Sequence, residues 1–115
     1  MRAALSLVLL SLSACAVTTA DLRAKGARHQ FASTKPVDDI VACVAEQWTH
    51  RSGTTNVTPR ANGKSMSLTY MVYSNTVNAV TIDIDDKGDR RDVAVFARKG
   101  DDNKKLQAEL GACVP

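Results

Sequence analysis

Apolar residues recur at three- and four-residue steps between Val37 and Trp48, where Val37, Ile40, Val41, Val44 and Trp48 fall on one stripe. That spacing predicts an amphipathic helix. Pro36 suits its first position, Asp38 and Asp39 put negative charge where the helix dipole favours it, and Arg51-Ser52-Gly53 ends it near Thr49. The lone Trp48 sits on the stripe and reads as core. The period then changes from helical to alternating. Segments at about 54–60, 65–73, 77–85 and 91–98 have strand character, and their spacing predicts an antiparallel meander. Beyond Gly100, Asp101 or Asp102 caps a final helix on which Leu106 and Leu110 lie four apart, and Gly111 ends it. The expected architecture is α+β: a helix, a four-stranded antiparallel meander and a short C-terminal helix.

Turn chemistry sets the expected registers. Asn62-Gly63 tolerates positive φ at both positions and predicts a two-residue hairpin with Val57 facing Leu68. Pro59 marks the first strand as an edge. Met66, Leu68, Tyr70 and Val72 share one face, as do Val80, Ile82 and Ile84. A three-residue loop Ser74-Asn75-Thr76 sets Leu68 against Ile82 and Tyr70 against Val80, and a Lys87-Gly88 turn sets Ile82 against Val93 and Val80 against Val95.

The N-terminus differs from this domain. Behind Arg2, an apolar run from Ala3 to Leu12 leads into small residues, the layout of a secretory signal and too short to span a bilayer. Leu12-Ser13-Ala14-Cys15 resembles the lipobox of bacterial lipoprotein precursors. The resemblance covers the first 16 residues or so and implies that residues 1–14 are removed, that Cys15 is lipidated with a palmitate-type acyl anchor, and that Ala16 directs sorting to the outer membrane. The competing reading is an ordinary signal cut at Ala14 or Ala20, which releases a soluble periplasmic protein.

Residues 15–35 then read as a lipidated, flexible, basic tether, and 36–115 as the domain. Between Ala16 and Lys35, Arg23, Lys25, Arg28 and Lys35 face only Asp21, whereas from Pro36 onward basic and acidic residues nearly balance. The segment lacks sustained periodicity, although Phe31 is placed to pack at the domain's entrance. It is either solvated linker or a strip that lies along anionic headgroups.

With Cys15 given to lipid, Cys43 and Cys113 remain in an oxidising compartment and are expected to pair. That bridge ties the end of the last helix to the first and puts both helices on one face of the sheet. The opposite face is then expected to expose Met71, Ala79 and Phe96 in one cross-strand row and Tyr73, Val77 and Arg98 in the next, a candidate partner-binding surface. A shifted register, or cover by the tether, removes the patch.

Motifs for chemistry are weak. Asp83-Ile84-Asp85-Asp86-Lys87-Gly88 starts like a calcium loop, but Lys87 and Ala94 stand where ligands are needed, so it reads as an acidic turn. His29 and His50 stand apart, without metal-site spacing or a nucleophile beside them. No metal, cofactor or nucleic acid is expected, and no catalytic residue is assigned. Asp38-Asp39 and Asp101-Asp102 are explained as helix starts.

The order of helix with Cys43, meander and terminal Cys113 resembles small envelope lipoproteins of proteobacteria, a likeness that implies periplasmic exposure from the outer membrane's inner leaflet and carries no assigned activity. The expected role is a non-enzymatic protein-binding or envelope-assembly module held by its N-terminal lipid, with a periplasmic or outer-membrane protein as partner. The alternative is an inhibitor or immunity protein that plugs an enzyme with the loop 85–90.

Overall fold

A computed structural model describes residues 17–98 and 103–115. Cys15, Asp101 and Asp102 lie outside them. Along the chain run α1 (Thr19–Ala24), β1 (His29–Ser33), α2 (Val37–Trp48), β2 (Thr54–Arg60), β3 (Gly63–Val72), β4 (Asn75–Asp86), β5 (Arg91–Ala97) and α3 (Asn103–Gly111). The strands form one antiparallel sheet in the order β1-β5-β4-β3-β2.

The α+β class and the meander are as expected, but the sheet has five strands rather than four. The fifth, β1, pairs with β5, so that Phe31 lies opposite Val93 and packs against the core. Both β1 and α1 fall within the segment 15–35 expected to be flexible tether. β1 escapes notice in the sequence because it is a short edge strand with one large apolar side chain.

Ile40, Val44 and Trp48 of α2 and Leu106 and Leu110 of α3 are buried against Met66, Leu68, Val80, Ile82, Ile84, Val93 and Val95 of the sheet. Each such side chain contributes about 1.5–3 kcal/mol on leaving water. The Cys43–Cys113 disulfide joins α2 to the chain just beyond α3, with Cα atoms 5.6 Å apart. Both helices therefore cover one face, as expected.

The first and third hairpin registers differ from expectation by two residues, and the second differs by two up to Leu68 and by three from Thr69 onward. Val57 lies opposite Met66, Leu68 opposite Val80 and Ile82 opposite Val95. A shift of two keeps every side chain on its face, so up to Leu68 and Val80 the core is the expected one although the pairs are not. Each turn supplies its own cause. In the first, the turn residues are Ala61-Asn62, and Gly63 belongs to β3, where an added Cβ would collide with the Ile84 backbone carbonyl. Close backbone approach, rather than positive φ, requires that glycine. The second turn is Tyr73-Ser74, both at positive φ (48° and 68°). A β-bulge at its base leaves Ala79 unpaired between Asn78, opposite Thr69, and Val80, opposite Leu68. The third turn holds four residues, Lys87–Arg90, closed by a bond from Lys87 N–H to the Arg90 carbonyl at 2.8 Å.

Candidate functional site

Two consequences of these registers shape the molecule's surface. The first lies on the sheet face away from α2 and α3, where Ser65, Ser67, Thr81 and Asp83 alternate with the core residues. α1 folds onto this face. Thr18 caps it, accepting from Asp21 N–H at 3.1 Å while Asp21 accepts from Thr18 N–H at 2.9 Å, and Leu22 is buried beneath it. These bonds hold the Asp21 carboxyl below its ordinary value.

Arg23 reaches from α1 to Asp83, its Nε donating to Oδ2 at 2.9 Å and its Nη2 to Oδ1 at 2.7 Å. Ser65 Oγ donates to Oδ1 at 2.8 Å, and Arg60 Nη1 stands 3.2 Å away. The Asp83 side chain is only 7% exposed. Its burial pushes the carboxyl up, but the bonds from Arg23 and Ser65 and the charges of Arg23 and Arg60 outweigh burial and hold it below its ordinary value. One member of the tether's basic excess is thus committed to a nearly buried aspartate.

Nearer the β3–β4 turn, Asn78 Nδ2 donates to Thr19 Oγ1 at 2.6 Å and to Thr81 Oγ1 at 2.8 Å, and the Asn78 backbone N–H donates to the Val17 carbonyl at 2.9 Å.

The second consequence is an arm. β2 stops pairing at Thr54, opposite Thr69, and β5 stops at Ala97, opposite Val80. From Tyr70 to Asn78 the β3–β4 hairpin continues alone as a two-stranded ribbon. No charge occurs from Ser65 to Ile82. The ribbon carries Tyr73 at 95% exposure and Met71 at 64%, with Tyr70 and Val72 also exposed. Gly53 turns the chain away beside it, leaving a groove of about 460 Å³ lined by Gly53, Thr54, Thr69, Tyr70, Met71 and Thr76. A tyrosine in the left-handed region costs roughly 1–2 kcal/mol, a strain that tight turns usually avoid with Asn or Gly.

The sequence-predicted surface is therefore rearranged rather than assembled in two rows. Met71 and Tyr73 share the arm. Val77 is buried opposite Tyr70, because the bulge reverses the alternation. Ala79 is half-buried on the helix side, where it lines a small cavity with Arg51, Tyr70, Arg98 and Leu106. Phe96 lies opposite Thr81 on the α1 side, half-buried, and Arg98 is exposed just past β5. The signal that points to the arm is the uncharged run itself, which outlasts the neighbouring strands.

At the far end of β4, charge is dense. Lys64 Nζ pairs with Asp38 at 2.6 Å, Arg60 Nε with Asp85 at 3.0 Å, and Arg91 Nε approaches Asp86 at 3.4 Å without hydrogen-bond geometry. Asp38, Lys64, Asp86, Gly88 and Arg91 line an open cleft of about 550 Å³ beside the start of α2. Among the described residues no three His, Cys, Asp or Glu side chains come together as a metal site, and no helix is long and apolar enough to cross a membrane. No known protein family, curated protein or solved structure matches the chain.

Proposed function

We propose that the protein is a non-enzymatic, lipid-anchored binding module of the bacterial envelope that works by surface contact from the periplasmic face of the outer membrane. The observation that carries this reading is the arm. An uncharged ribbon that leaves the sheet, exposes Tyr73 and Met71 and strains its own turn is costly to keep for stability alone, and contact with another envelope component offsets that cost. The lipobox-like segment supports the anchored location.

A photo-crosslinking residue placed at Met71 in cells is expected to give an adduct with an envelope component, whereas the same residue at Asp89 gives none. Equal labelling at both sites, or none at Met71, contradicts the reading.

The inhibitor or immunity reading draws on the opposite end, where the turn 87–90 is braced by the Lys87–Arg90 bond and by Gly88 N–H donating to Asp86 Oδ1 at 2.9 Å. A braced, exposed turn suits insertion into a cleft. Charge reversal at Asp86 and Asp89 abolishes inhibition on that reading.

A further inference from the structure

We infer that the surface met by the arm is the membrane itself: the β3–β4 turn lies in the headgroup region of the leaflet that holds the N-terminal lipid. This deepens the proposal above and rests on its reading of Cys15 as the anchored residue.

Val17 is fixed to Asn78 at the base of the arm by the 2.9 Å backbone bond and, through Thr19, by the Asn78 side chain. Two residues from Val17 to Cys15 span at most about 7 Å. From Asn78 to the turn at Ser74 the ribbon rises about 13 Å. With about 5 Å between paired backbones added, the chain can carry an anchor at Cys15 no farther than about 25 Å from the tip. The charged turn 87–90 lies the other way along β4, about 26 Å from Asn78 at Asp86. An anchor at Cys15 thus brings the uncharged end of the sheet to the bilayer and holds the ion-paired end away from it.

Side-chain chemistry agrees with that orientation. Tyrosine is favoured at the membrane–water boundary, and Met71 and Val72 beside it supply apolar area. Behind the tip stand cations. Arg28 Nε donates to the Ala97 carbonyl at 3.3 Å, Arg98 is exposed next to it, and Lys104 and Lys105 are exposed at the start of α3, beside Leu106. Asp21 is already engaged with Thr18 and Glu109 with Arg51, and along the sequence 98–105 four basic residues outnumber Asp101 and Asp102. An apolar tip backed by cations fits an anionic lipid surface.

The test separates the arm from the anchor. The processed chain beginning at residue 15 and carrying Cys15→Ser is sedimented with vesicles of phosphatidylethanolamine containing a minority of phosphatidylglycerol. The expected result is vesicle binding that falls about tenfold or more in Met71→Ser/Tyr73→Ser and weakens in Arg98→Glu and at high salt. Met71 and Tyr73 are exposed, so the double variant keeps its thermal midpoint and its disulfide. Absence of binding, equal binding by the double variant, or a cross-link from Met71 to a single protein in place of lipid overturns the inference. Failure of the anchoring reading shows separately, as a processed protein from cells with no lipid mass on Cys15.

Discussion

Asn78, at the base of the β3–β4 arm, donates its backbone N–H to the carbonyl of Val17 at 2.9 Å. The bond ties the segment next to the expected anchor to the ribbon that leaves the sheet, and it gives the domain a direction. One end of β4 is uncharged and apolar, and the other is ion-paired.

The strain in the tip is the feature most open to substitution. Tyr73→Asn with Ser74→Gly supplies the residues that a turn with two positive φ values prefers, and is expected to raise stability by about 1–2 kcal/mol in a denaturant titration. The same variant loses vesicle binding, because it removes the exposed aromatic ring. A variant that gains stability and keeps binding shows that the ring has no part in contact.

Arg23 holds α1 through Asp83. Because the Arg23 side chain is 38% exposed, solvent screening reduces the value of the pair, and Arg23→Ala is expected to cost about 1 kcal/mol or less. Its clearer effect is local: amide exchange in residues 18–25 speeds up while exchange in β4 does not.

Acid weakens the same contact. A carboxyl held below its ordinary value in the folded state contributes stability above the unfolded value of about 3.9 and loses that contribution as pH falls through the folded value. Urea midpoints are therefore expected to be level with respect to Asp83 from neutral pH to about pH 5 and to drop below about pH 4. In Asp83→Asn the drop is smaller, and an identical acid profile in that variant contradicts the assignment.

Gly63 has no room for a side chain against the Ile84 backbone. Gly63→Ala is expected to destabilise by about 1–3 kcal/mol, since the β3–β4 ladder must shift to accept the methyl group. Gly88, with nothing near it at φ 92°, tolerates asparagine far better. Thermal melts of the two variants distinguish a packing requirement from a conformational one.

Removing the disulfide acts on the whole chain. A separation of 70 residues makes the bridge worth about 4 kcal/mol by chain entropy, so Cys43→Ala/Cys113→Ala is expected to lower the urea midpoint substantially. Reducing agent reproduces the shift in the native chain and leaves the double variant unchanged.

The hydrophobic pattern carries which face a residue occupies but not which residue it meets. Alternation has a period of two, so Leu68 opposite Val80 satisfies it as well as Leu68 opposite Ile82 does. Turn chemistry decides between such pairings, and here it misleads: Gly63 is a strand residue, while Tyr73 and Ser74 occupy positions that sequence preference gives to asparagine and glycine. The bulge at Ala79 locally reverses the alternation, which buries Val77 and takes it out of the expected exposed row. Helices α2 and α3 were legible because Trp48 and Leu110 lie on stripes that the core demands. α1 was not, since it holds the sheet through one buried apolar residue, Leu22, and two polar side chains, Thr19 and Arg23.

The most direct test of the account is the environment of the arm when the protein is anchored. An environment-sensitive fluorophore is attached at Tyr73→Cys, and in a second protein at Asp89→Cys, each lipidated at Cys15 and reconstituted into vesicles. The account predicts a blue-shifted, lipid-quenched signal at position 73 and a water-exposed signal at position 89. A water-exposed probe at 73, or equal quenching at both positions, contradicts it.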